Sequence, residues 1–135
     1  MNDNIYTHSV KFMVRDYELD SQGVVNNANY LHYLEHARYD FLVSKGINFD
    51  DLRKEGIDLV VARVEIEYKY PLRSGNNFVV RMSVSKEGNL RMVFIQDIFR
   101  LPDEKLIARA KVTGVAVIKG KPVRPIHIFE KAGIT

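Results

Sequence analysis

With 135 residues, 46% of them apolar, the chain can bury one sizeable core but not a second. A formal net charge of +3, with both signs interspersed, excludes a basic nucleic-acid stripe and suits an anionic small molecule such as a nucleotide. The absence of Cys excludes disulfides, thiolate metal sites and a Cys nucleophile, and with no leader-like start and no apolar run of membrane-span length the protein is expected in the cytoplasm, without membrane insertion.

Residues 8–17 alternate, with Val10, Phe12 and Val14 on one face, and predict a strand. Residues 28–45 then carry Tyr30, Leu31, Leu34, Ala37, Phe41 and Leu42 at helical spacing. Asn26 and Asn27 stand as N-caps and Gly46 as a stop, which predicts a helix of about five turns. A short helix over 49–55, between Asn48 and Gly56, follows. Residues 59–70 return to period two, with Val60, Ala62, Val64, Ile66, Tyr68 and Tyr70 on one dry face until Pro71 ends the run. Residues 78–86 and 90–101 form a hairpin about Glu87-Gly88-Asn89. Pro102-Asp103-Glu104 then turns the chain into a last strand over 106–118. One face of that strand, Ala108, Ala110, Val112, Gly114 and Ala116, is mostly small, leaving room for the long helix to lie close.

No repeat, linker or low-complexity run divides the chain, so residues 1–135 are read as a single α+β domain of one long helix and five or six strands. A helix about 25 Å long and 10 Å wide cannot cover a flat five-stranded sheet about 24 Å across. The sheet is expected to curl around the helix, and its edges to pair with a second copy in a homo-oligomer.

The chemistry concentrates between Arg15 and Arg38, where a strand turns at Asp20 and Gly23 directly into the helix. That places a carboxylate beside the unpaired amides of a helix start, a setting that polarises a carbonyl on one side and faces it with a carboxylate on the other. Hydrolysis of an activated acyl group needs both. The plain alternative for Asp20 is a turn residue making an Asx bond, and for Asn26 and Asn27, simple caps. His32-Tyr33-Leu34-Glu35-His36 matches an inverted zinc-protease motif, but a third ligand and a larger cleft-bearing chain are wanting, so no metal is expected. No Gly-x-Ser-x-Gly elbow and no phosphate-binding Gly-rich loop occurs.

The pattern Asp20-x-x-Gly23-Val24-Val25-Asn26-Asn27-x-x-Tyr30, followed by Glu35-x-Ala37-Arg38, resembles the hot dog fold acyl-thioester hydrolases of the 4-hydroxybenzoyl-CoA thioesterase type. Pro71-Leu72-Arg73-Ser74-Gly75 and the long closing strands extend the resemblance over nearly the whole chain. The segment Val14 to Asn27 is especially similar to plant thioesterases acting on acyl-carrier-protein thioesters and to bacterial relatives. The resemblance implies a curled antiparallel sheet wrapped around a central helix, and hydrolysis of an acyl-CoA or acyl-carrier-protein thioester by a homodimer or homotetramer. It assigns the catalytic acid to Asp20, as nucleophile or general base, and the oxyanion donor to the backbone amide at or next to Asn27. Gly23 would let the backbone approach substrate. Where one bacterial branch has Tyr-His, this chain has Asn26-Asn27, so no imidazole stands next to the acid.

Supporting expectations follow from the same pattern. Glu35 could orient water or brace the loop, or simply pair with Arg38 or Tyr39. Substrate contacts are expected from Gly23, Val25, Tyr30, Val61 and Arg73, with Val60, Ala62 and Leu34 as further pocket candidates. Arg73, Arg91, Lys119, Lys121 and Arg124 are candidates for coenzyme A phosphates or an acidic carrier protein, each also readable as an ordinary solvated charge. No cofactor is implied beyond coenzyme A as part of the substrate. The competing function is an acyl-CoA-binding protein without turnover.

Overall fold

The hairpin, the crossover helix and the closing strands assemble, in the computed structural model describing residues 6–134, into one antiparallel sheet with a helix against one face. The elements are β1 His8–Met13, α1 Asn27–Ser44, α2 Phe49–Lys54, β2 Ile57–Tyr68, β3 Asn77–Glu87, β4 Arg91–Leu101, β5 Lys105–Ile118, β6 Lys121–Val123 and α3 Ile126–Ala132, with a 3-10 turn at Asp16–Glu18. Residues 1–5, where no leader-like start was read, and residue 135 lie outside the described residues. The sheet order is β1-β3-β4-β5-β2, and β6 pairs with the end of β5. This is the curled sheet and central helix of the hot dog fold, as expected.

Register explains the core. Successive inner rows are Val10-Val80-Ile98-Ala108-Tyr68, Met82-Gln96-Ala110-Ile66, Val84-Phe94-Val112-Val64 and Met92-Gly114-Val61. Against them α1 turns its apolar stripe of Tyr30, Tyr33, Leu34, Ala37, Phe41 and Leu42. Gln96 is the buried polar residue of these rows. It donates from Nε2 to the Leu34 carbonyl at 2.9 Å and accepts from Arg38 Nη1 at 3.0 Å, so it ties the helix to the sheet. On the opposite face Asp97, 2% exposed, accepts from Arg109 Nε at 3.1 Å and from the Tyr6 hydroxyl.

Several elements differ from the sequence reading. The first strand stops at Met13 rather than Tyr17, because Glu18 Oε1 accepts from the Arg15 amide at 2.8 Å and winds the chain into the 3-10 turn. On β2 the single dry face does not hold. A bulge at Ala62 shifts the register between Val61 and Arg63, so Val61 joins Val64 and Ile66 on the inner face while Val60 turns outward. The small face of β5 is buried, yet the helix backbone runs closest to β1 and β3. The space over Val112 and Gly114 remains an open cleft. Beyond the strand read as the last, the chain forms β6 and α3, whose Ile128, Phe129 and Ala132 join the core.

Phe78 anchors the aromatic part of this core. It is fully buried, stacks on Phe12 at 5.1 Å and meets Tyr33 at 4.7 Å between centroids. Replacing Phe78 with Ala is expected to cost about 3–5 kcal/mol, measured by urea unfolding with an unchanged slope.

Candidate active site

The 3-10 turn delivers the chain into a small antiparallel ladder that folds back onto the start of α1. Asn26 N–H donates to the Glu18 carbonyl at 3.0 Å, Leu19 bridges Val25, and Asp20 N–H donates to the Val24 carbonyl at 2.7 Å. The ladder closes through a turn in which Gly23 N–H donates to the Asp20 carbonyl at 3.1 Å. Gly23 adopts φ +79°, so the turn needs its missing Cβ for conformation, there being open space around it. The Asp20 carboxylate is exposed. Its Oδ1 accepts from Gln22 N–H at 2.8 Å and Val24 N–H at 3.3 Å, the Asx bonding read from the sequence, while Oδ2 makes no hydrogen bond among the described residues.

At the helix start the caps divide the orphan amides. Asn26 Oδ1 accepts from Ala28 N–H at 2.9 Å, and the Asn26 carbonyl accepts from Asn29 N–H at 2.9 Å. Between them the Asn27 N–H has no partner among the described residues. An unpaired amide at the positive end of an 18-residue helix is a donor for an oxyanion. Asp20 thus lies opposite Val24, two residues before the cap of that same helix.

Other expected residues brace the loop. Val25, 3% exposed, is part of the core and its N–H donates to the Leu72 carbonyl at 2.9 Å. Tyr30 is equally buried, its hydroxyl accepts from Leu72 N–H at 3.0 Å, and burial raises its pKa. Both side chains therefore hold the segment after Pro71 rather than present an open face. Arg73 bridges Val24 through the backbone and is exposed, its guanidinium without an ion pair among the described residues. Arg91 pairs with Glu87 at 3.4 Å across the hairpin. Lys119, Lys121 and Arg124 all lie in the segment around β6, at the other end of the sheet strands from Arg73's loop.

Val61 and Glu35 meet elsewhere. A cleft of 380 Å³ runs between α1 and the β2–β5–β4 surface, lined by Glu35, Arg38, Val61, Phe94, Val112 and Gly114 among others. Leu34, one pocket candidate, is instead fully buried in the core. Eight residues of helix put Glu35 about 12 Å along the axis from Asn27, and Asp20 is not among the residues that line its cleft. Burial lowers the Arg38 pKa, Glu35 opposing it, and the guanidinium lies 6.0 Å from the Phe94 ring. His32 Nδ1 bonds Asn29 Oδ1 at 3.3 Å and His36 packs against Phe12, and no cluster of three metal-ligating side chains occurs among the described residues.

Sequence reasoning did not single out Glu18, Asn29, Tyr33 or Gln96. The Tyr33 hydroxyl donates to Glu18 Oε1 at 2.8 Å and Asn29 Nδ2 donates to the Glu18 carbonyl at 2.9 Å. The only signal was parity. Gln96 falls on the inward register of Phe94 and Ile98, where a polar residue needs a built partner.

A curled sheet around one helix, with a carboxylate loop at the helix start, defines the hot dog class. Residues 14–127 match the thioesterase-like superfamily, and the chain belongs to that family. It is 43% identical over 121 residues to an acyl-acyl carrier protein thioesterase, ATL3, of Arabidopsis thaliana chloroplasts, covering 90% of this chain but 63% of that protein. It is 30% identical over 104 residues to the long-chain acyl-CoA thioesterase FadM of Escherichia coli, covering 77% and 78%. A crystal structure of a hypothetical protein from Aquifex aeolicus superposes with a TM-score of 0.86 at 30% identity, covering 93% of this chain and 99% of that one.

Asn26 caps the helix through its side chain and leaves the Asn27 amide unbonded among the described residues. Asn26→Ala is therefore expected to lose about 1 kcal/mol of stability while the Asn27 amide persists. Thermal unfolding beside an activity assay checks this, and full loss of activity in a folded Asn26→Ala protein would contradict the division.

Proposed function

We propose that the chain hydrolyses an acyl thioester, carried on coenzyme A or an acyl carrier protein, to a free acid and a thiol. The observation that carries this reading is the unpartnered Asn27 N–H, with the Asp20 Oδ2 free on a loop stapled to the same helix end. Membership of the thioesterase-like superfamily supports it, as do the acyl-acyl carrier protein and long-chain acyl-CoA thioesterases among its relatives.

In this mechanism the thioester carbonyl oxygen accepts from Asn27 N–H, and the helix dipole stabilises the negative charge that grows there. Asp20 Oδ2 acts on the other side of the carbonyl. It takes a proton from a water whose oxygen attacks the carbon, or attacks directly to give an anhydride that water then opens. In both routes the C–S bond breaks and the thiolate leaves with its electron pair, so no strong general acid is required. Water is the only other reactant, and no cofactor enters the proposal.

The binding parts are assigned on the same footing. The apolar cleft beside Val61, Phe94 and Gly114 takes the aliphatic or aromatic acyl portion, with Glu35 as a lining group rather than the proton acceptor. Arg73, exposed beside the loop, suits a phosphate of the carrier. Edge strand β2 exposes Val60, Val61 and Val64 at 40%, 48% and 41%. Such an edge favours pairing with a second copy, so the working unit is a homodimer or larger, in the cytoplasm.

Three variants test the reading with thiol release from acyl-CoA and acyl-carrier-protein panels. Asp20→Asn should abolish turnover in a folded protein. Asn27→Pro removes the N–H at a helix position that tolerates Pro, after an Asn26 already extended at φ −64° and ψ 141°. It should lose roughly 10²–10³ in kcat, whereas Asn27→Ala, which keeps the amide, should retain most of it. Equal activity in Asn27→Pro and Asn27→Ala would remove the amide from the mechanism. Binding of acyl-CoA without turnover in the wild type would replace hydrolysis with an acyl-binding role.

A further inference from the structure

We infer that Glu18 is a positioning residue, which fixes Asp20 relative to the Asn27 amide by anchoring the active-site loop to the aromatic core through Tyr33. Four hydrogen bonds converge on this half-buried residue. Its carbonyl accepts from Asn26 N–H at 3.0 Å and Asn29 Nδ2 at 2.9 Å, and its Oε1 accepts from Arg15 N–H and the Tyr33 hydroxyl, both at 2.8 Å.

Each bond reaches a different part of the site. Arg15 N–H begins the 3-10 turn, Asn26 is the cap residue immediately before the Asn27 amide, and Asn29 lies in the first turn of α1. Tyr33 supplies the rigid end. It is 4% exposed and packed between Phe12, Tyr30 and Phe78, with ring centroids at 5.5, 6.2 and 4.7 Å. Burial, then the bond to Glu18, raises the Tyr33 pKa, so its hydroxyl stays a proton donor through the working pH range.

The geometry leaves Asp20 dependent on this anchor. Asp20 is exposed, its hydrogen bonds all stay within its own loop, and it takes its position from the ladder that Glu18 begins, two residues upstream. Tyr33 makes Glu18 the point where that ladder is held by side chain as well as backbone. Its Oδ1 is held by the amides of Gln22 and Val24 on that same loop, so the carboxylate goes where the loop goes, and a 1 Å misplacement of a reacting group costs on the order of 10²-fold. The inference rests on the hydrolase reading only for its effect on rate.

The experiment compares wild type with Glu18→Ala, Glu18→Gln and Tyr33→Phe, reading kcat, KM, thermal midpoint and amide hydrogen exchange. Glu18→Ala should lower kcat roughly 10- to 100-fold with KM nearly unchanged. The Asp20 and Asn26 amides should exchange faster while mid-helix amides such as Ala37 and Phe41 do not. Glu18→Gln keeps an Oε1 acceptor and should restore most of the rate, and Tyr33→Phe should fall between. An unchanged kcat and unchanged loop exchange in Glu18→Ala would overturn the inference. So would acceleration of exchange throughout α1, which marks a general stability role, or a Glu18→Gln variant as slow as Glu18→Ala. If loop exchange accelerates alone but the wild type cleaves no thioester, the hydrolase reading fails while the hold of Glu18 on the loop stands.

Discussion

One helix has to dry one face of a sheet too broad for it, and much of the molecule answers that mismatch. Eighteen helical residues span about 27 Å and a width of about 10 Å. Five strands at the usual spacing are more than twice as wide as the helix. The sheet closes the gap by curling, and the helix lies nearest β1 and β3. Phe12, Phe78 and Tyr33 fill that side with rings. On the far side β5 offers Ala108, Ala110, Val112 and Gly114, and Gly114 leaves the Phe94 ring 3.7 Å from where a Cβ would stand. The asymmetry is what leaves a cleft. Gln96 keeps the two halves in register, because its amide satisfies both a helix carbonyl and the half-buried Arg38 guanidinium, and an unmade bond there would strand either partner.

The same arrangement decides where chemistry can occur. A helix enclosed by a curled sheet exposes its backbone dipole only at its ends, and the strand-to-helix connection before α1 is short enough to fold back on the N-terminal end. Asn26 satisfies one orphan amide through its side chain, and the amide next to it stays available. Local bonding thus creates a donor by omission. The Asp20 carboxylate sits on the loop that folds back there, exposed and accepting two amide bonds at Oδ1.

Local signals in the sequence carried most of the elements and their caps. Asn26 and Asn48 cap the two helices they were read to cap, through side-chain bonds to Ala28 and to Asp50 and Asp51. Gly23, Gly46, Gly56 and Gly88 all take positive φ where turns or helix ends were read. Non-local features were less legible. The bulge at Ala62 has no mark in a run of alternating residues, yet it exchanges the faces of Val60 and Val61, because a slip of one residue inverts a strand. Tyr30 and Val25 read as substrate contacts because the pattern around them is chemical, but their partner Leu72 lies some forty residues away in sequence and draws them into the core. Glu18 was overlooked for the same reason. Its partners are near in sequence, but its value comes from Tyr33 being locked among Phe12 and Phe78, which no local window displays.

The separation of cleft and loop bears on how binding and rate can be tuned. Glu35 and Arg38 lie two to three turns along α1 from Asn27, so a side chain exchanged in the cleft need not touch the amide or Asp20. Contacts to a remote acyl segment stabilise ground state and transition state alike and act mainly on KM. In the proposed mechanism, contacts at the Asn27 N–H would strengthen as charge moves onto the carbonyl oxygen and would act on kcat. On the proposed reading, a multiply bonded loop at one end of the helix and an apolar groove farther along would let the acyl preference change without rebuilding the chemistry. The small residues of β5 are where that freedom would reside: a Cβ at Gly114 would stand 3.6 Å from the Val60 carbonyl and 3.7 Å from the Phe94 ring, ordinary contact distances, so a methyl there fits and narrows the groove while leaving the loop bonds intact.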